Sequence, residues 1–268
     1  MELFDFLQYA FIQKAFLAGS FMAIICSALG LFLVLRKMSL IGDGLSHVSF
    51  GAIALGLFLG IYPYYVAIPL VILASVLILK ISEKTKVYGD AAIGIVSAVG
   101  IASGIILASL SHGFNVDLFS YLFGNILSIS NTEVVLSITL SLAVLATVYF
   151  FYWDLFSATF DEEYAKTTGV KTNFINLLLT ILTAITVILS VKMAGIMLVS
   201  ALLIFPAVTA LQIAKGFKAT LYISAATSLM SVLLGISYSF FLDLPTGATI
   251  VMLNALFFGL VIVYKKII

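Results

Sequence analysis

Long apolar runs separated by short polar breaks dominate the chain. Runs near 11–35, 43–60, 62–79, 91–111, 132–153, 173–191, 195–214, 219–242 and 247–264 stand out. Hydrocarbon about 30 Å thick is crossed by a helix of roughly 20 apolar residues. Backbone polar groups find no water there, so each run is expected to be a helix that satisfies its own hydrogen bonds. The pattern predicts an all-α fold, a polytopic transmembrane helical bundle of about nine spans, with eight as the alternative if one stretch is re-entrant. Residues 1–10 are expected along the membrane interface. The stretch 114–130 is amphipathic at best and reads as a short surface or re-entrant helix.

Composition agrees with that pattern. Of 268 residues, 63% are hydrophobic and 9% charged, whereas soluble domains are about 25% charged. A chain so poor in charge cannot cover a water-facing surface, so its main solvent is lipid. Residues 1–268 are expected to form one domain, because no linker-like tract divides them. We find no internal repeat and no low-complexity tract. The net charge of +1 gives no reason to expect a nucleic-acid partner. The single cysteine, Cys26, cannot form an intrachain disulfide. Met1-Glu2-Leu3-Phe4-Asp5 lacks the basic start of a signal peptide, so the first run is expected to stay as an anchor.

Charge does set an orientation. Arg36, Lys37, Lys80, Lys84, Lys86, Lys166, Lys171, Lys215, Lys218, Lys265 and Lys266 all fall on one side if nine spans alternate. Only Lys14 and Lys192 remain of the 13 Lys and Arg. The excess of Lys and Arg on cytoplasmic loops places that side in the cytoplasm, with the N-terminus outside and the C-terminus inside. Gly56 with Gly60, and Gly100 with Gly104, have the small-xxx-small spacing that lets helices approach closely.

One constellation carries chemistry. Of the two histidines, His112 lies in a predicted outer loop and reads as solvated. His47 lies in Gly42-Asp43-Gly44-Leu45-Ser46-His47, at the start of the second run. Asp43 and His47 are four apart, one turn along a single helix face. Ionisable groups in membrane segments are costly and tend to line a path or meet a partner. A carboxylate and an imidazole on one face form half a site for a borderline divalent cation such as zinc or manganese. Two protein ligands plus water, or plus the same pair from a second subunit, hold an ion without trapping it. The same spacing also fits Asp43 as a helix N-cap and His47 as a packing residue. Both readings stand on sequence alone.

A second feature follows the fifth run. Phe160-Asp161-Glu162-Glu163-Tyr164-Ala165-Lys166-Thr167-Thr168-Gly169 reads as a short helix, with acidic residues at its start and Gly169 as its stop. Phe160, Tyr164 and, just beyond, Val170 leave apolar surface for either a partner's groove or lipid headgroups. Pro206, inside the seventh run, removes a helix hydrogen bond and crowds the carbonyl of Leu202. It marks a kink beside a pore or a proline of the kind membrane helices tolerate. No G-x-x-x-x-G-K-[ST] occurs, so the chain is not itself a P-loop ATPase.

Met38–His47, Val116–Leu127, Asp161–Ala165 with Gly169, Gly195–Ala207 and Asp243–Thr249 together resemble, in order, the membrane permease of metal-type ABC importers. The resemblance implies a type II-like importer permease that moves zinc, manganese or iron. It implies a homodimer with two ATP-binding cassette subunits and an extracytoplasmic metal-binding protein that delivers the ion. Asp43 and His47 then correspond to metal ligands, and Phe160, Asp161, Glu162, Glu163, Tyr164 and Gly169 to the coupling helix that docks on the ATPase. No permanently bound cofactor and no enzyme activity are expected of this subunit; the metal is cargo. Many members carry Leu-Pro-Gly after that histidine, where this chain has Val48-Ser49-Phe50-Gly51. The second helix therefore need not bend there, and the variant is closer to zinc-type members. Alternatives are a permease for a chelated ligand such as a siderophore, an ion-gradient carrier, or a non-transporting scaffold.

Overall fold

The computed structural model describes residues 8–84, 88–111, 124 and 129–267. His112 and the stretch Val116–Leu127, apart from Gly124, lie outside them. The described residues form helices α1 (Ala10–Leu35), α2 (Ile41–Phe58), α3 (Pro63–Lys84), α4 (Gly89–Leu110), α5 (Asn131–Phe150), α6 (Tyr152–Phe160), α7 (Glu162–Thr167), α8 (Thr172–Ala194), α9 (Ile196–Ile213), α10 (Phe217–Leu242) and α11 (Thr246–Ile267). Each of the nine predicted runs is a helix. Eight of them are long and apolar enough to cross a membrane. The ninth, α9, has 18 residues, about 27 Å at 1.5 Å per residue, and is apolar through Leu198–Ile213.

These helices sort by burial. In α1 and α8, 72% of the most apolar stretch is buried, against 22% in α3 and α4, 28% in α5 and 17% in α11. α1 and α8, together with α2 at 67%, are therefore the centre of the bundle, and α3, α4, α5 and α11 lie around them with outer faces that suit lipid. Apolar sequence all around α1 allows this, because no polar stripe needs water. Several buried serines and threonines bond within their own helix, as where Thr183 donates to the Leu179 carbonyl at 2.8 Å and Ser49 to that of Leu45 at 2.9 Å, whereas Ser231 donates to Asn254 of the neighbouring helix at 3.0 Å.

Small residues set the closest approaches. Gly100 lies against the Val48 backbone and Gly104 against Phe50 and Gly51, so α2 and α4 touch nearly backbone to backbone. Gly30 of α1 sits in the same way on the Leu203 backbone of α9. Gly60 is different. It has open space and a φ of 67°, and so serves the turn after α2 rather than a helix seam.

Contacts at the two ends of the bundle agree with alternating spans. At one end Phe32 of α1 meets Phe217 of α10, and Lys265 of α11 donates to Gln212 of α9. At the other, Tyr9 before α1 packs on Phe240 near the end of α10. The fifth span stops at Phe150 rather than running to 153. A separate helix, α6, then lies under the bundle, with Leu155 and Ala158 buried and Phe156 against Phe217. The predicted loop around Lys192 is also absent, because α8 runs to Ala194 and only Gly195 separates it from α9. Gly195 has φ 80° and ψ 164°, a backbone region essentially reserved for glycine. Pro206 is buried, and α9 runs through it without interruption.

Candidate metal site and docking helix

Helix α2 starts at Ile41 with Leu40 as its N-cap, and no side chain caps it. Asp43 is thus already inside the first turn. The capping role open to it on sequence is not the one it takes. A carboxylate there still gains from the positive end of the helix dipole. From Ile41 to Ala54, every residue except Asp43 and His47 is buried. The two share the one open face of the helix. The Asp43 side chain is 48% exposed and that of His47 28%, with His47 Nε2 3.7 Å from Asp43 Oδ2.

That distance is an ion-pair contact and too long for a hydrogen bond. The other carboxylate oxygen, Oδ1, accepts a hydrogen bond from Ser200 Oγ of α9 at 3.3 Å. The second imidazole nitrogen, Nδ1, is buried and has no hydrogen-bond partner among the described residues. Neither group is consumed by strong interhelical bonds. Among the described residues, no group of three or more His, Cys, Asp and Glu is close enough to hold a metal. The pair is an open, two-ligand arrangement with a hydroxyl beside it, suited to passing an ion on. Ser200 was part of the Gly195–Ala207 stretch, but nothing in one dimension linked it to Asp43, 157 residues away.

The second feature is also built as its sequence suggests, with one change. Phe160 ends α6, and Asp161, at φ −152° and ψ 97°, breaks the chain between α6 and α7. The Asp161 carboxylate accepts from the Tyr164 N–H at 2.9 Å and so caps α7. At the far end Gly169 has φ 89°. Its N–H donates to the Lys166 carbonyl and that of Val170 to Ala165, closing the helix with paired bonds. Glu162 and Lys166 pair at 3.0 Å across one turn. Phe160 and Tyr164 are exposed, 59% and 63%, while Ala165 is buried against the bundle and Val170 packs on the core instead of joining that surface. Burial pushes the Glu162 carboxyl up, but the bond and charge of Lys166, with hydrogen bonds to Asn176 and Thr172, outweigh it and hold the group below its ordinary 4.5.

The family model described as "ABC 3 transport family" matches residues 8–265. The chain belongs to that family. It is 32% identical to the manganese transport system membrane protein MntC of Halalkalibacterium halodurans, over 95% of this chain and 87% of the relative. It is also 32% identical to the high-affinity zinc uptake system membrane protein ZnuB of Haemophilus influenzae, over 92% of this chain and 94% of that one. Among solved structures it is similar to PsaBC from Streptococcus pneumoniae in complex with Fab, with a TM-score of 0.87, 33% identity, and coverage of 97% and 94%. The chain is a multi-pass membrane permease of metal ABC import, and ATP hydrolysis belongs to a separate subunit. An ion-gradient carrier and a non-transporting scaffold are thereby set aside.

Proposed function

We propose that this permease passes a free divalent transition-metal ion, zinc first and manganese second, inward along α2 past Asp43 and His47. The observation that carries this reading is that these two ligand types occupy the only open positions in an otherwise buried stretch of fourteen residues. Imidazole favours zinc, and the carboxylate with the nearby Ser200 hydroxyl also accepts manganese. An ion that replaces the loose 3.7 Å contact gains two ligands without breaking a strong bond. A homodimer would supply a second pair across its axis.

In this reading an extracytoplasmic metal-binding protein delivers the ion and two ATP-binding cassette subunits drive its release. The end of the bundle that carries α6 and α7 is cytoplasmic, because the Lys and Arg residues gather there. Phe160 and Tyr164 enter a groove of the ATPase, and the capped ends of α7 keep that surface rigid. Metal uptake by the assembled transporter in sealed vesicles tests the path. Asp43→Ala and His47→Ala are each expected to reduce uptake about tenfold or more while assembly persists, since even outer-shell changes at metal sites cost 10–100-fold. Wild-type uptake in both variants would rule these residues out. Competition between labelled zinc and unlabelled manganese, and the reverse, then ranks the cargo.

A further inference from the structure

We propose that Arg36 is a positioning residue for transport, tying the docking helix to the turn that leads into the metal-bearing helix. Arg36 caps the C-terminus of α1, and only Lys37 to Leu40 separate it from α2. Its guanidinium donates from Nε to Thr159 Oγ1 of α6 at 3.0 Å and from Nη1 to Asn176 Oδ1 of α8. Glu162, the first residue of α7, lines the same cavity and acts on it electrostatically. One side chain thus joins the end of the central helix to three elements that surround the docking surface.

The location makes this a mechanical joint rather than a surface ion pair. Arg36, Thr159, Glu162 and Asn176 line a cavity of about 360 Å³ that also takes in Met38 of the turn and Glu83 of α3. Nη2 is buried with no hydrogen-bond partner among the described residues. Burial lowers the affinity of the guanidinium for its proton, and the Glu162 carboxylate works against that. An apolar side chain would fill the space at less electrostatic cost, and buried ionic groups are best attested where they fix a register or serve a switch. A planar fork bonds two elements in fixed geometry, which a lysine ammonium on a flexible stem does not. When the ATPase displaces α7, the fork carries the shift to residues 37–40 and so to Asp43, seven residues beyond Arg36.

The inference rests on the docking and metal-path readings above, and the test separates it from them. The complete transporter, with its ATP-binding subunits and metal-binding protein, is reconstituted, and zinc carried per ATP hydrolysed is measured. Arg36→Gln and Arg36→Lys are each expected to lower that ratio about fivefold or more, the lower end of ordinary intersite coupling, with the zinc concentration at half-maximal uptake unchanged. Thr159→Val, which removes one partner and keeps the shape, is expected to lower it in the same sense and covers the case in which the Arg36 variants do not assemble. A wild-type ratio in Arg36→Lys or Thr159→Val overturns the proposal, as does a change in half-maximal zinc with the ratio intact. Retention of the ATPase by Tyr164→Arg would instead sink the docking reading, and normal uptake by Asp43→Ala and His47→Ala the metal path.

Discussion

Asp43 illustrates how much one residue's role depends on where a helix begins. A start two residues earlier than the apolar run moves it from cap to first turn. The carboxylate is then free of the backbone and available to Ser200, His47 and an ion. Gly195 is the other single position on which the geometry turns. At φ 80° and ψ 164° it lets α9 begin directly where α8 ends, and α9 carries Ser200 to Asp43. A Cβ there is strained whatever the space around it. Gly195→Ala is expected to destabilise the permease by about 1–3 kcal/mol. The readout is the thermal midpoint of the detergent-solubilised protein. An unchanged midpoint would mean that the α8–α9 break tolerates a different backbone path.

At the scale of elements, α7 is a helix of six residues, too short to hold itself together in water. Its caps and its seat on α6 and α8 hold it. Glu162 contributes to that seat with a pH dependence whose sign is fixed. Its carboxyl titrates below its ordinary 4.5 in the folded state, so the stabilisation is fully present above 4.5 and is lost as pH falls through the lower folded value. The group is 41% exposed, which keeps the effect small through solvent screening. Binding of the ATP-binding subunit to the permease is expected to weaken as pH is lowered below 4.5. Glu162→Gln should flatten that dependence. An identical pH profile in the variant would place the acid sensitivity elsewhere.

For the whole molecule, an arrangement in which all nine apolar helices cross the membrane predicts that the start of α1 and the end of α11 lie on opposite faces. The sole cysteine, Cys26, is buried, so cysteines introduced on the surface report without background. Tyr88→Cys and Lys215→Cys are expected to react with a membrane-impermeant thiol reagent only after the cytoplasmic face is opened. Tyr62→Cys and Asp243→Cys should react in intact cells. The opposite pattern would invert the orientation, and a mixed one would require a different number of spans. The aromatic contacts that seat α6 belong to this scale too. Phe156, Phe160 and Phe217 form one cluster, which holds α6 against the start of α10.

The apolar runs by themselves determined nine helices and their alternation, because hydrocarbon admits few other backbone arrangements. They also exposed the Asp43–His47 pair and the ends of α7, since helical spacing and capping are local rules. Other features needed the folded chain. Helix α6 was hidden because its apolar residues continued the pattern of the fifth span. Lys192 looks like a break in the apolar pattern, since a charge interrupts the run, yet the backbone stays helical to Ala194. The approach of Ser200 to Asp43, and of Arg36 to Thr159, Glu162 and Asn176, joins positions more than 100 residues apart. Such contacts depend on which faces of α1, α2, α8 and α9 pack together. Shape complementarity at Gly30, Gly100 and Gly104 decides that packing, and one-dimensional periodicity does not encode it.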